Sequence, residues 1–362
     1  MEPIRLAMIV NSRGGEAGIM ARRATALAKH LSPECMADVQ VAPTRRCLLA
    51  AIRRSDAVYV MNPGRIGFPA WVLARAMRRP VFAEVGDPQA ALYRAQGRGS
   101  AAIAIGSSID RVVARASTGV VVRGRRLAGI LGVTVPWIEV PDGVDLERFR
   151  PGGTPSLRNR LGLPVSTPIV GVLGSLEWSE RFQMAYGWDI IEALRDPRAR
   201  GYQAMIVGNG SGQAHLRGLA QSLGVADRVI FTGSVPADDV PAYISAMDIC
   251  MSTQSNDDVG RGRTTAKLPE YLACDRYVLA TDVGGASDVL PSEMLMPYVG
   301  VKDRDHPKRL AMRLAELAPR QPELRVGAGT RVLAERHFNY EVLSRRISMF
   351  VHGLVHKQTA SA

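Results

Sequence analysis

"IRLAMIVNSRGGEAGIMARRATALAKHL", Ile4 to Leu31, carries three signals in a row. Ile4 to Val10 is a short, mostly apolar run that predicts a buried strand. Asn11 to Gly18 is a glycine-rich turn. Ile19 to Leu31 then repeats apolar residues at helical spacing. Strand, glycine turn and helix in that order open a parallel, doubly wound sheet. Further strands are expected at Asp56–Met61, Pro80–Val85 and Ala101–Gly106, and at "GVVVRG" and "WIEVP", with helices between them.

The pattern breaks at "RFRPGGTPSLRNRLGLPVSTP", Arg148 to Pro168, where prolines, glycines and polar residues cluster as in a linker. It resumes at "PIVGVLGS" (Pro168–Ser175). "YQAMIVGNGSG", "RVIFTGSV", "DICMST" and "YVLATDVGG" read as four more strands. Helices are expected at Gln213–Leu223, "PAYISAM", about Ala266–Cys274 and about Asn339–His356. The fold class is therefore α/β, two Rossmann-like domains with parallel sheets. The first covers 1–150, a linker 151–167 and the second 168–338; a C-terminal helix in 339–362 is expected to pack back on the first. Ligands of open α/β sheets bind at the carboxyl ends of strands, so the two domains are expected to face one cleft.

The 362 residues are 46% hydrophobic and 22% charged, an ordinary globular mix. No apolar run approaches a membrane span of about 20 residues, and the N-terminus reads as a strand rather than a signal peptide. Cys35, Cys47, Cys250 and Cys274 show no metal or redox spacing, which points to free thiols in a reducing cytosol. The net charge of +12 is uneven: residues 1–150 hold 22 Lys/Arg against 12 Asp/Glu. Nearly all those cations are arginine. The excess fits a G/C-rich genome, or attraction to anionic lipid or a phosphate-bearing acceptor. Nucleic acid fits least, because no binding signature accompanies the charge.

Gly14 and Gly15 lie in the first strand-to-helix turn, and Gly171 and Gly174 in the equivalent turn of the second half. Each position suits either a tight turn or close backbone approach to a phosphate. "RGRTTAKLPEYLACDRYVLATDVGG", Arg261 to Gly285, is more specific. Pro269 is comfortable only in a first turn, which places a helix start near Thr265 or Ala266. That end carries roughly half a positive charge, and Arg261, Arg263 and Lys267 are expected around it. Glu270 follows one turn in. Cations beside a carboxylate suit a diphosphate next to a ribose diol; a solvated Glu270–arginine pair is the other reading. Asp303–Asp305 reads as a charged loop, the later histidines (His215, His306, His337, His352, His356) as surface or capping groups, and Trp178 and Trp188 chiefly as packing residues.

"VPDGVDLERFRP" (Val140–Pro151) resembles the P-N-G-V-D-x-x-x-F-x-P signature of family 4 glycosyltransferases. The stretch from "IVGNGSG" to "DICMSTQ" and "AKLPEYLACDRYVLATDVGGASDVL" resemble the donor domain of the same family. The resemblance covers nearly all of the second half and is weaker in the first. It implies the GT-B architecture, a retaining and metal-independent transfer, no cofactor, and a UDP-, GDP- or ADP-sugar donor. The acceptor would be a glycan, a lipid-linked sugar or a small molecule. Glu270 matches the glutamate that holds the donor ribose. Arg181 falls where a lysine meets the diphosphate, and Val235 where the base is bound through backbone groups. Thr264 and Thr265 fall where amides meet the phosphates, with Gly15, Gly174, Ser175 and Arg263 also at donor positions. Arg181 and Lys267 are expected to stabilise the leaving diphosphate, and Asp87 to orient acceptor or sugar or else to cap a helix. The basic first half adds an anionic membrane surface, on the cytoplasmic face, as a candidate partner.

The chain departs from the family at three places. Ser175 stands where an arginine is usual, Gly262 where a second glutamate is common, and Gly86 precedes Asp87 where many members carry histidine. A relative that binds a sugar nucleotide or a partner protein without turnover is the competing reading.

Overall fold

The computed structural model describes residues 3–11, 15, 18–31, 33–64, 67–152, 154–164 and 166–360. Gly14 lies outside them. The chain divides into two compact units. Unit 1 comprises Met1–Gly143, Asp258–Thr264 and Phe338–Ala362; unit 2 comprises Val144–Asp257 and Thr265–His337.

Unit 1 is built on six parallel strands: β1 (Ile4–Val10), β2 (Cys35–Val41), β3 (Ala57–Met61), β4 (Val81–Val85), β5 (Gly119–Val122) and β6 (Trp137–Glu139), in the order β2-β1-β3-β4-β5-β6. β3, β4 and β5 are buried along their whole length, which is why they read as unbroken apolar runs. Val58 and Val60 face one helical layer, formed by Arg45–Arg54, Phe68–Ala76, Ser100–Ala116 and Arg125–Leu131. Ala57, Tyr59 and Met61 face the other, formed by Ile19–Lys29 and Tyr340–Ala360. The C-terminal helix is tied there by Ser344 Oγ, which donates to Leu27 O at 2.9 Å.

The strand expected at Ala101–Gly106 is not formed; those residues lie inside the helix Ser100–Ala116. A six-residue apolar run cannot by itself separate strand from helix, and here the apolar spacing continues through the buried Ile109 and Val113, four residues apart. Gly106 lets the preceding helix close in: a Cβ on it would stand 3.0 Å from the Tyr93 ring. Two strands escaped the pattern. β2 is a half-exposed edge strand, and a strand at Leu295–Met296 has only two residues.

Unit 2 carries β7 (Ile169–Leu173), β8 (Gln203–Val207), β9 (Val229–Gly233), β10 (Ile249–Ser252), β11 (Tyr277–Thr281) and β12 (Leu295–Met296), parallel and ordered β12-β11-β10-β7-β8-β9. Its lower end is fastened by a buried ion pair. Asp248 Oδ2 accepts from Arg158 Nη2 at 2.8 Å and from Ile169 N at 2.7 Å, so one carboxylate anchors the entry to β7 beside β10. The strand order reverses between β7 and β10. That reversal opens a crevice at the carboxyl end of an α/β sheet.

Candidate functional site

The crevice of unit 2 is lined first by glycines. Gly174 follows β7 at φ +148°, and its N–H donates to Val207 O at 3.0 Å. Gly208, after β8, sits at φ +137°, and a Cβ there would lie 1.9 Å from Gly174 O. A Cβ on Gly210 would meet the Leu176 backbone at 2.5 Å. Only glycine lets these two loops run in contact, with Leu176 N donating to Asn209 O and Gly212 N to Leu176 O. Gly171, by contrast, serves packing: its Cβ would meet Met247 Sδ at 2.5 Å.

From the β10 side comes the helix Lys267–Ala273, within a residue or two of the sequence expectation and with Pro269 in its first turn. Thr265 is buried just ahead of it, its Oγ1 2.9 Å from the Oγ of Ser252, the last residue of β10. Lys267 is also buried. Its Nζ lies 3.5 Å from the Tyr186 ring centroid and 3.4 Å from the point a Gly174 Cβ would occupy. Tyr271, one turn on, accepts from Leu173 N at 2.9 Å, so the helix is pinned to the carboxyl end of β7. Burial raises the Tyr271 phenol well above its ordinary pKa, so it stays protonated. The ammonium of Lys267 is thus held across the β7/β10 reversal. A glycine turn, a fixed cation and a helix start thus lie at one crevice, a set of groups whose chemistry suits an anion.

The other residues of unit 2 that the sequence places at a donor have separate settings. Glu270 is half-buried on the same helix as Lys267, and its charge raises the pKa of the neighbouring Cys274 thiol, second to burial. Ser175 is exposed directly after Gly174, and Val235 is half-buried in the loop after β9. Arg181 is exposed in a turn closed by the Ser179–Met184 bridge, its guanidinium 5.2 Å from the Phe182 ring centroid.

Gly15, Asp87, Arg263 and Thr264 belong to unit 1. Gly15 has φ +60° and, among the described residues, no neighbour within 4 Å of its would-be Cβ. Arg263 Nη1 donates to Asp87 Oδ1 at 3.3 Å, and Thr264 is buried. Gly86 N donates to Asn62 Oδ1, and a Cβ on Gly86 would lie 2.8 Å from the Arg123 guanidinium carbon. Arg123 therefore crowds the position where a histidine side chain would begin.

That arginine belongs to a network the sequence did not disclose. Glu84, fully buried in β4, accepts from Arg23 Nε at 2.9 Å, Arg123 Nε at 3.2 Å and Tyr59 OH at 2.8 Å. Arg23 also donates to Pro141 O and Val140 O and lies 3.5 Å from Asp142. Burial pushes the Glu84 carboxyl up, but Arg23 and Arg123 outweigh it and hold the group below its ordinary pKa. Val140–Gly143 are thereby fastened within unit 1, with Gly143 so close to Tyr340 that a Cβ would stand 2.6 Å from its ring. Glutamate in an apolar strand, "VFAEV", is the one local hint of this cluster.

Unit 2 holds a second buried cluster and a correction. His306, expected at the surface or as a capping group, is fully buried, with Nε2 3.5 Å from Asp189 Oδ2. Asp189 also accepts from Thr253 Oγ1 at 2.6 Å, which fixes the loop leaving β10. Asp303 accepts from Val299 N and Asp305 N, a turn-closing role. Trp188 is buried, while Trp178 stacks on His215 with centroids 4.0 Å apart. Among the described residues no three His, Cys, Asp or Glu are grouped to hold a metal ion.

Two six-stranded parallel α/β sheets are the fold class of the GT-B glycosyltransferases. Residues 167–319 match the family described as Glycosyl transferases group 1. The chain is 27% identical over 233 residues to a 2-deoxystreptamine glucosyltransferase of Streptomyces kanamyceticus, covering 61% of this chain and 57% of that protein. It is 30% identical over 238 residues to a GDP-mannose-dependent alpha-(1-6)-phosphatidylinositol monomannoside mannosyltransferase of Mycobacterium tuberculosis, covering 63% and 59%. The matches thus span little more than half the length of these curated relatives. Among solved structures, sucrose-phosphate synthase of Thermosynechococcus elongatus superposes with a TM-score of 0.70 at 19% identity, over 99% of this chain and 100% of that one. Anabaena Alr3699/HepE in complex with UDP-glucose gives 0.72 at 15%, over 97% and 100%. At such identities the likeness is one of fold.

Proposed function

We propose that this chain is a glycosyltransferase that moves a hexosyl group from a nucleotide-diphosphate sugar to an acceptor hydroxyl, with retention and without a metal. The observation that carries the reading is Lys267, a buried cation fixed beside Gly174 where the strand order of unit 2 reverses. The match of residues 167–319 to group 1 glycosyl transferases supports it, as do the nucleotide-sugar names of the relatives.

In this reading Lys267, the amides near Thr264 and Thr265, and Arg181 receive the diphosphate. Glu270 accepts from the ribose diol, and Val235 offers backbone groups to the base. Gly174 and Ser175 leave room for the phosphates and the transferred sugar. The sugar C1–oxygen bond breaks with its electron pair moving to the diphosphate. The acceptor oxygen bonds to C1, and its proton passes to a diphosphate oxygen. A preorganised cation facing the developing charge is worth about 3–4 kcal/mol. Asp87, with Arg263 beside it, orients the acceptor. Free thiols at Cys35, Cys47, Cys250 and Cys274 suit a reducing, cytoplasmic setting.

The test is a thermal-shift and calorimetric screen against UDP-, GDP- and ADP-sugars, followed by a nucleotide-release assay with and without EDTA. One nucleotide class should bind and turn over, with Lys267→Ala and Glu270→Ala impaired. Binding without release under any acceptor or donor condition would establish the non-catalytic reading instead.

A further inference from the structure

The C-terminal helix Tyr340–Ala360 carries two adjacent rows of side chains at four-residue spacing. Leu343, Ile347, Val351 and Val355 form the first and are buried in the core that holds Leu6, Tyr59 and Phe82. One residue on runs a polar row: Ser344, Ser348, His352 and His356. Its first two members are buried and engaged. Ser344 Oγ donates to Leu27 O at 2.9 Å, and Ser348 O accepts from Cys35 Sγ at 3.8 Å. The last two are half-buried imidazoles. Their ring centroids are 4.2 Å apart and their planes meet at 60°.

Two histidines at i and i+4 share one helix face, the spacing at which imidazoles chelate a transition metal. A metal bonded to both rings at about 2.0–2.1 Å would hold their centres roughly 4.5–5 Å apart, for bond angles between square and tetrahedral. The observed 4.2 Å is a small ring rotation away from that. The serines of the row hold the helix to Leu27 and Cys35, so the backbone under both rings is already placed before binding. Imidazole suits copper, nickel and zinc, whereas magnesium and calcium take oxygen ligands. Among the described residues no third His, Cys, Asp or Glu joins the pair, so water completes the coordination.

We propose that His352 and His356 form a two-point chelate for a divalent transition metal, copper(II), nickel(II) or zinc(II), that clamps the last turns of the C-terminal helix. The metal cross-links two consecutive turns. It binds the folded helix and not the frayed one, so it stabilises the fold by mass action. Copper(II) should bind most tightly, as it does at most nitrogen sites. None of the residues assigned to the donor lies on this helix, so the site is independent of the transferase reading, and nucleotide affinity measured beside it separates the two.

The experiment is titration calorimetry of the full chain, without an affinity tag, against nickel(II) and zinc(II) chloride, with copper(II) followed by electron paramagnetic resonance. A single metal should bind per chain, and the copper spectrum should show coupling to imidazole nitrogen. Magnesium and calcium should give no binding heat. His352→Asn and His356→Asn should each weaken binding at least about tenfold. His30→Asn and Cys47→Ser, the latter removing the exposed thiol, should leave it unchanged. The melting temperature should rise with zinc concentration in the wild type and stay level in both site variants. Imidazole resonances read the site without any substitution: those of two of the six histidines should move on adding zinc. The proposal is overturned by no saturable binding, by undiminished affinity in both site variants, by loss of binding in Cys47→Ser, by equal affinity in the urea-unfolded chain, or by resonance shifts at other histidines.

Discussion

Lys267 Nζ stands 3.5 Å from the centre of the Tyr186 ring, and that contact orients a buried ammonium toward the Gly174 turn. The ring face holds the cation through its quadrupole and adds no counter-charge of its own.

Replacing that charge should therefore cost binding rather than folding. Lys267→Met is expected to lower nucleoside-diphosphate affinity by about 2–3 kcal/mol, the worth of a charge-assisted bond, with little change in melting temperature. Tyr186→Leu should cost about 0.5–2 kcal/mol by loosening the ammonium. Titration calorimetry with UDP and GDP measures both. Unchanged affinity in Lys267→Met would remove the cation from the site.

Glu84→Gln leaves Arg23 and Arg123 buried beside a neutral amide, and breaking a buried pair costs about 3–5 kcal/mol. The pH sign follows from a folded-state pKa below the unfolded one. The stabilisation is complete above the unfolded carboxylate value of about 4.3 and is lost as pH falls through the folded value. Asp189 shifts in the same direction: burial pushes it up, and the bonds from His306 and Thr253 more than reverse this. Denaturant unfolding from pH 7 downward should show an acid limb that is shallower in Glu84→Gln.

Two glycines of unit 2 should respond oppositely to alanine. Gly208→Ala places a Cβ 1.9 Å from Gly174 O at φ +137°. It should destabilise by more than about 3 kcal/mol, or prevent folding. Gly218, inside the helix Gln213–Ser222 with nothing within 4 Å, should gain about 0.5–1 kcal/mol. Thermal melts of the pair decide whether loop contact or helix propensity governs.

Asp189→Ala strands the buried His306 and frees Thr253. The expected cost is about 1–3 kcal/mol, that of leaving buried polar groups unsatisfied, with faster amide exchange in the loop that follows β10. Asp189→Asn keeps an acceptor for the Thr253 hydroxyl and should lose less. Equal exchange in that loop for wild type and Asp189→Ala would show that the cluster does not position it.

Much of the architecture was legible from the chain. Strands buried on both faces must be apolar throughout, and turns with positive φ select glycine. So β1, β3, β4, β5 and the five longer strands of unit 2 announced themselves, as did the Pro269 helix. These are local signals, readable within a dozen residues. Ala101–Gly106 misled because its apolar run is too short to carry a period, and only the burial of Ile109 and Val113 assigns it to a helix. Tertiary structure alone decided that Gly174 and Lys267 meet, that Gly208 rests on Gly174, and that Arg123 fills the space before Gly86. The same holds for Glu84, which waits on Arg23 and Arg123 from distant helix and strand ends. Each is a contact between segments far apart in sequence. Strand order sets those neighbours, and no short stretch of residues encodes it.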